Sequence, residues 1–160
     1  MNLFQPLISA RSGSQEILIT REFDAPRERV FHAYTDPGML SRWLLPADLG
    51  MGIDSHDCRS GGRYRYRMPG PGGAQHAIFG VIHEVAAPER IIQTFEYDGL
   101  PERGLAVLEC ISFEALSADR TRLAIQRVCG SEAYRDGMVN AGMEPMLLEL
   151  FRRLDQLLNN

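Results

Sequence analysis

The sequence predicts an α+β domain in which a curved antiparallel sheet holds a long C-terminal helix. Three observations support this fold class. A strand-like alternation over Glu16–Phe23 is followed by two short helical segments, residues from about Leu49 to Gly130 are strand-like throughout, and a helical stripe of apolar residues ends the chain. Because the sheet and the terminal helix each have one apolar face, we expect them to pack face to face.

The first strand and the two helices after it have clear boundary signals. Residues 16–23 alternate and contain β-branched side chains, and Asp24-Ala25-Pro26 interrupts that pattern. Proline suits a first helical turn, so residues 27–35 are predicted to form a short helix. Asp36-Pro37 then opens a second short helix, which we expect to end near Trp43.

The middle of the chain predicts a meander of antiparallel strands. Residues 63–68 are the clearest strand, with three arginines on one face and Tyr64, Tyr66 and Met68 on the other. Further strands are predicted near residues 76–85, 90–97, 105–115 and 121–128. The turns between them fall at Ala87-Pro88, at residues 99–101 and at residues 117–120.

The C-terminal segment has the apolar spacing of an amphipathic helix. The stripe consists of Met143, Met146, Leu147, Leu150, Phe151, Leu154, Leu157 and Leu158. Pro145 lacks a backbone N–H and crowds the preceding turn. Either the helix begins again with Pro145 in its first turn or it kinks there, and helical structure is expected on both sides of the break.

Length and composition indicate one globular domain. The chain has 160 residues, of which 44% are hydrophobic and 24% are charged. We expect no signal peptide at residues 1–14, because their apolar part is short, Pro6 interrupts it and Arg11 follows it. We therefore predict a flexible N-terminal arm at residues 1–14 and a single domain at residues 15–160.

Charged residues and cysteines narrow the function classes. All 17 basic residues are arginine, which excludes chemistry that needs a lysine. The net charge of -4 and the scattered arginines make nucleic acid an unexpected partner. Cys58, Cys110 and Cys129 have no disulfide or zinc spacing. We expect a cytoplasmic protein with no cofactor, no metal and no insertion into a membrane.

Several short motifs resemble those of one protein family. They are, in chain order, Thr20-Arg21-Glu22-Phe23-Asp24-Ala25-Pro26, Val30-Phe31, Thr35-Asp36-Pro37, Trp43-Leu44-Leu45-Pro46, Asp57-Cys58-Arg59-Ser60-Gly61-Gly62-Arg63-Tyr64, Glu84-Val85 and Pro88-Glu89-Arg90. They resemble the family named for the activator of heat-shock-protein-90 ATPase, within the START-like (SRPBCC) superfamily. The resemblance extends from about Ile17 to Leu158, nearly the whole chain.

The resemblance implies a helix-grip (START-like) fold with a cavity between the sheet and the C-terminal helix. Relatives include binders of apolar ligands, polyketide-cyclase-like enzymes and proteins that sequester reactive natural products. The family commonly has Gly-Trp where this chain has Met146-Leu147. A bulky aromatic side chain beside the cavity is therefore replaced by two aliphatic ones.

Two charged residues fall on apolar strand faces. Leu105, Val107, Ile111 and Phe113 share a face with Glu109, and Leu123 and Ile125 share one with Arg127. A register that pairs Phe113 with Leu123 also places Glu109 opposite Arg127, close enough for an ion pair. The pair either stabilises the sheet alone or forms a polar anchor inside an apolar cavity. Gln93 is a further candidate for that cavity.

The remaining candidate ligand contacts are aromatic residues and methionines. Tyr64, Tyr66 and Phe95 would line the cavity or fill the core, and Trp43 would pack the short helices or lie at the cavity mouth. Met138 and Met143 lie on the helical side, where methionine suits either a core or a variable ligand.

No catalytic or metal-binding set is evident. Asp54, His56 and Cys58 alternate along one strand, but residues two apart are about 6.6 Å apart by strand rise alone, too far to converge on one ion. His32, His76 and His83 have no local acid or nucleophile signature, and Glu84 after His83 does not complete a metal-binding motif.

Three functions remain open on this evidence. The first is binding of a small, largely apolar molecule, with Tyr64, Tyr66, Phe95 and Met143 in contact and Glu109, Arg127 and Gln93 orienting it. The second is a chaperone-linked protein-binding module that uses the outer arginines, Arg63, Arg65 and Arg67. The third is a cyclase-like or hydrolytic enzyme with Glu109 or a histidine as base. A second copy of the chain is another candidate partner.

Overall fold

The computed structural model describes residues 5–160. Its elements are β1 (Leu7–Ser9), β2 (Glu16–Phe23), α1 (Arg27–Thr35), α2 (Pro37–Trp43), β3 (Gly52–His56), β4 (Arg63–Pro69), β5 (Gln75–Ala86), β6 (Arg90–Tyr97), β7 (Val107–Ser117), β8 (Arg120–Val128), α3 (Glu132–Asn140) and α4 (Met143–Leu158). The strands form one 8-stranded sheet in the order β1-β2-β8-β7-β6-β5-β4-β3. All neighbouring strands are antiparallel, so the predicted α+β helix-grip fold is confirmed.

The two short helices begin and end as predicted. The Asp36 carboxylate caps α2 by accepting a hydrogen bond from the Met39 backbone N–H at 2.9 Å. Trp43, at the end of α2, donates its indole N–H to the Ala33 carbonyl at 2.9 Å. This bond fixes α2 against α1 and places the indole ring in the core, where it is 1% exposed.

The prediction of a flexible arm is wrong for part of residues 5–14. Leu7–Ser9 form β1, which pairs with β2 at the edge of the sheet. The guanidinium of Arg135, on α3, also donates to the Arg11 carbonyl. Three residues are too few to show an alternating pattern, so only the open edge of β2 explains this strand. The rest of the predicted arm, residues 1–4, lies outside the described residues.

The C-terminal segment divides at Gly142. Its φ of 90° lies in the left-handed region, which ends α3 and allows α4 to begin at Met143. Pro145 therefore lies in the first turn of α4, as in the first of the two predicted alternatives, and its missing N–H breaks no helical bond.

The C-terminal helix crosses the concave face of the sheet. Its buried side chains include Leu147, Phe151 and Leu154, and the ring of Phe151 meets that of Phe23 edge to face at 5.6 Å. Arg21 on β2 is 5% exposed and binds both carboxylate oxygens of Asp155. This ion pair ties the last turns of α4 to the sheet. None of the helices within residues 5–160 is long and apolar enough to cross a membrane.

Candidate functional site

A cavity of about 230 Å³ lies between the concave face of the sheet, α2 and α4. Most of its walls are apolar, and the polar groups enter mainly from the strands. Its lining residues are Tyr34, Leu40, Trp43, Leu44, Leu45, Met51, His56, Cys58, Tyr64, Tyr66, Met68, Ile78, Ile82, Ile91, Gln93, Phe95, Glu109, Ile111, Ile125, Arg127, Met146, Leu147, Leu150, Phe151 and Arg153.

Three polar side chains form a row across the sheet inside this cavity. Gln93 on β6 lies opposite Glu109 on β7, which lies opposite Arg127 on β8. The Arg127 Nε donates to Glu109 Oε2 at 2.9 Å, and the Gln93 Nε2 donates to Glu109 Oε1 at 2.9 Å. The predicted register, with Phe113 paired to Leu123, is confirmed. We call Gln93, Glu109 and Arg127 the polar row.

The polar row leaves some hydrogen-bonding capacity unused. Both Glu109 oxygens already accept a hydrogen bond. Within residues 5–160, Arg127 donates a hydrogen bond only through its Nε. The guanidinium also lies 5.1 Å from the centre of the Phe95 ring, which favours a cation over its face. The Nη groups of Arg127 and the Oε1 of Gln93 therefore remain as donors and acceptor for a ligand.

Two tyrosines on β4 already have hydroxyl partners in the protein. Tyr64 donates to the Thr94 carbonyl at 2.6 Å. Tyr66 lies 2.9 Å from His56 Nδ1, and His56 Nε2 lies 2.9 Å from the Thr35 carbonyl. Because a carbonyl only accepts, Nε2 carries the proton and the Tyr66 hydroxyl donates to Nδ1. The two phenols are structural donors as well as cavity walls.

Tyr34 on α1 was not predicted to be a ligand contact. Its hydroxyl differs from the hydroxyls of Tyr64 and Tyr66. No group within residues 5–160 forms a hydrogen bond with it, although the ring packs against Trp43 and Phe113. Burial, and then the negative charge of Glu109, raises the pKa of Tyr34 well above its ordinary value of 10.0. The hydroxyl therefore stays neutral at physiological pH and can donate or accept.

The phenols of Tyr64 and Tyr66 and the thiol of Cys58 are also held in their neutral form. Burial raises the pKa of Tyr64 and of Tyr66 well above the ordinary value, and Glu109 adds to both shifts. Burial, followed by the charge of Asp57, raises the pKa of the Cys58 thiol. The carboxylate and the guanidinium groups of the lining are those of Glu109, Arg127 and Arg153.

All the predicted site residues lie in the cavity wall except Met138 and Met143. Met138 belongs to α3, which the break at Gly142 separates from the helix over the cavity. Met143 is the first residue of α4 and is buried in the core. The helix contributes Met146, Leu147 and Leu150 instead, and the first two occupy the positions of the family's Gly-Trp.

His56, Cys58 and Arg153 also line the cavity without having been predicted as ligand contacts. The alternation of Asp54, His56 and Cys58 does not place all three on one face, because the register with β4 shifts between Ile53 and Ser55. Asp54 is exposed and binds the Arg67 Nε at 2.8 Å. No cluster of His, Cys, Asp or Glu within the described chain could hold a metal ion.

The outer face of β4 carries the three arginines of the protein-binding hypothesis. Arg63, Arg65 and Arg67 are all exposed. Arg65 pairs with Asp98 at 3.3 Å, and Arg67 pairs with Asp54. Much of the positive charge on this face is therefore compensated within the chain.

The fold and the cavity together define a helix-grip protein of the START-like superfamily. The chain belongs to the family described as activator of Hsp90 ATPase homolog 1-like protein, whose model matches residues 24–159. This confirms the family that the motifs indicated. No curated protein matches the sequence.

Solved structures of similar proteins have the same fold. A protein from Rhodobacter sphaeroides is 24% identical with a TM-score of 0.80, and the match covers 97% of this chain and 98% of that one. The protein Ms6760 from Mycobacterium smegmatis is 24% identical with a TM-score of 0.82, covering 95% of each chain. DynU16, from the dynemicin biosynthetic locus, is 18% identical with a TM-score of 0.67, covering 92% of this chain and 48% of that one.

Proposed function

We propose that this protein binds a small, largely apolar molecule in the cavity between the sheet and α4. The observation that carries the proposal is the polar row inside a largely apolar wall. Ligand sites typically combine many apolar side chains with a few polar groups that fix orientation. The apolar wall would supply most of the affinity, and the free groups of Arg127, Gln93 and Tyr34 would orient an oxygen atom of the ligand.

Native mass spectrometry of freshly purified protein is the first test. It reports a co-purified small molecule and the oligomeric state together, so it also tests a second copy of the chain as partner. We expect a mass excess that organic solvent removes.

A variant of α4 then localises the binding. Leu147→Trp adds an indole at a buried lining position, where the family commonly has tryptophan, and reduces the free volume. We expect it to weaken binding of N-phenyl-1-naphthylamine, a neutral fluorescent probe, by about tenfold or more, because overfilling a cavity costs about 1–3 kcal/mol.

The neighbouring position provides the matched control. Leu148 is 41% exposed and does not line the cavity, so Leu148→Trp adds the same side chain outside the cavity. It should leave probe affinity unchanged. Equal affinity in wild type and Leu147→Trp, or no probe binding by wild type, would contradict the proposal. Thermal unfolding of both variants checks that they remain folded.

The other two hypotheses have weaker support. A chaperone-binding surface on β4 would use arginines that already pair with Asp98 and Asp54, although the family name keeps this hypothesis relevant. Salt-sensitive retention of a chaperone, lost when Arg63, Arg65 and Arg67 become alanine, would favour it. An enzyme with Glu109 as base would use a carboxylate that already accepts one hydrogen bond at each oxygen and is paired with Arg127.

A further inference from the structure

Arg153 is a cation in the cavity wall that has no ion-pair partner among the described residues. It lies on α4 in one stripe with Met146 and Leu150, spaced i, i+4 and i+7, and all three line the cavity. Within residues 5–160 it forms neither an ion pair nor a hydrogen bond, and its Nε is buried. Glu149, one turn away on the helix, is instead bound by Arg152 at 2.7 Å.

The charge balance of the lining therefore leaves one positive charge. Glu109 and Arg127 neutralise each other in the polar row, and Arg153 remains. A neutral ligand that covered Arg153 would remove water from a guanidinium without replacing its hydrogen bonds, which costs free energy. A ligand with a negative oxygen would replace them.

The position of the negative group follows from the same contacts. Near the polar row, burial and then the charge of Glu109, which outweighs the opposing charge of Arg127, raise the pKa of Tyr34 and of Tyr64. An anion is disfavoured there, whereas a neutral oxygen is not. Arg153 has no carboxylate within ion-pair distance among the described residues. The carboxylate of Glu149, which also feels the charge of Arg153, is already bound by Arg152, so its repulsion of an anion beside Arg153 is reduced.

We propose, on the basis of the proposed cavity function, that the ligand is an organic acid whose apolar body fills the cavity and whose anionic group binds Arg153. A guanidinium suits a carboxylate because its N–H groups can make two parallel hydrogen bonds with the two oxygens. Arg127 and Tyr34 hold a neutral part of the same molecule.

Two probes of matched size separate the acid from its neutral counterpart. 2-Naphthoate carries a carboxylate where 2-acetylnaphthalene carries a methyl ketone. Titration calorimetry measures both against wild type, Arg153→Gln and Arg153→Lys. We expect Arg153→Gln to weaken naphthoate binding about tenfold, which is the loss expected when a hydrogen bond to a charged group is removed. The same variant should change ketone binding less than about twofold. Arg153→Lys, which keeps the charge, should retain most of the naphthoate affinity.

Arg42→Gln is the matched control. Arg42 lies on α2 beside the cavity, is exposed and does not line it, so the variant removes the same charge from outside the cavity. It should leave both affinities unchanged. Equal effects of Arg153→Gln on the two probes, no effect on either, or wild-type binding of the ketone without the acid would overturn the acid assignment and leave the cavity function standing. Binding of neither probe by wild type would overturn both.

Discussion

Arg127 and Glu109 form an ion pair of 2.9 Å on the inner face of the sheet, with 15% and 8% of their side chains exposed. Neither charge is fully solvated. Arg127 donates its hydrogen bond to Glu109, and Glu109 accepts from both Arg127 and Gln93. Removal of one partner of such a pair strongly destabilises a protein, whereas replacement of both partners by apolar residues often leaves its stability unchanged. The same pair can therefore be tested separately for its effect on folding and on binding.

Glu109→Ala should lower the free energy of unfolding by about 3 kcal/mol, because it leaves the Arg127 cation without its counter-charge. The double variant Glu109→Met with Arg127→Leu should recover most of that loss. Urea unfolding of the two variants and of wild type measures both effects.

The double variant also tests whether Glu109 and Arg127 orient a ligand in the cavity. We expect it to reduce the ratio of 2-acetylnaphthalene affinity to 2-ethylnaphthalene affinity about fivefold, because only the ketone accepts a hydrogen bond. An unchanged ratio would assign the pair to sheet stability alone.

The sequence contained enough information for this pair because alternation and a short turn define a hairpin register. Ile111 and Phe113 identify the inner face of β7, and Leu123 and Ile125 identify that of β8, so the partner of Glu109 follows. The helices of the first half were predictable for the same local reason, from proline and aspartate at their starts.

The unpredicted side of the cavity depends on long-range packing. Tyr34 and Arg153 line the cavity only because α1 and α4 pack on the sheet with a particular rotation about their own axes. An apolar stripe in the sequence predicts which face of a helix is buried, but it defines that rotation only to within a residue or two. That uncertainty also explains why Met143 was predicted instead of Met146. The contact between His56 and the Thr35 carbonyl joins residues 21 apart in the chain, and no local pattern reports it.

Tyr34→Phe and Tyr64→Phe remove the same atom from two different environments. Tyr64 donates to the Thr94 carbonyl, so its variant should lose about 1 kcal/mol of stability. Tyr34 has no hydrogen-bond partner within the described residues, so its variant should unfold like wild type. Ketone binding should weaken in Tyr34→Phe and not in Tyr64→Phe, as measured by calorimetry. The opposite ranking would mean that the Tyr34 hydroxyl does not meet the ligand.

Gly80 on β5 lies where another strand comes unusually close. A Cβ at this position would lie 1.8 Å from the Thr94 carbonyl oxygen and 2.9 Å from the Tyr64 hydroxyl. Gly80→Ala should therefore destabilise the protein by about 1–3 kcal/mol, since backbone would have to move. Gly137→Ala is the control, because a Cβ there meets open space within α3 and should stabilise by about 0.5–1 kcal/mol. Thermal unfolding distinguishes the two directions, and a neutral Gly80→Ala would contradict the close approach.

Asp98 follows β6, and its carboxylate contacts Ala77 on β5 and Arg65 on β4. The backbone N–H of Ala77 donates to it at 2.8 Å and, with the charges of Arg65, Arg103 and His76, lowers the pKa of Asp98 below its ordinary value of 3.8. Because the folded pKa is below the unfolded one, the contribution of Asp98 to stability is complete above the unfolded pKa. It is lost as pH falls through the folded pKa.

Asp98→Asn keeps an oxygen for the Ala77 N–H and removes only the charge. Its deficit in the free energy of unfolding should be largest at neutral pH and should shrink as pH falls through the folded pKa of Asp98, which lies below its ordinary value of 3.8. Urea unfolding at several pH values measures this convergence. Asp119→Asn, at an exposed turn position whose carboxylate makes no ion pair within residues 5–160, should follow wild type throughout. A deficit of Asp98→Asn that stayed constant with pH would show that its charge does not stabilise the fold.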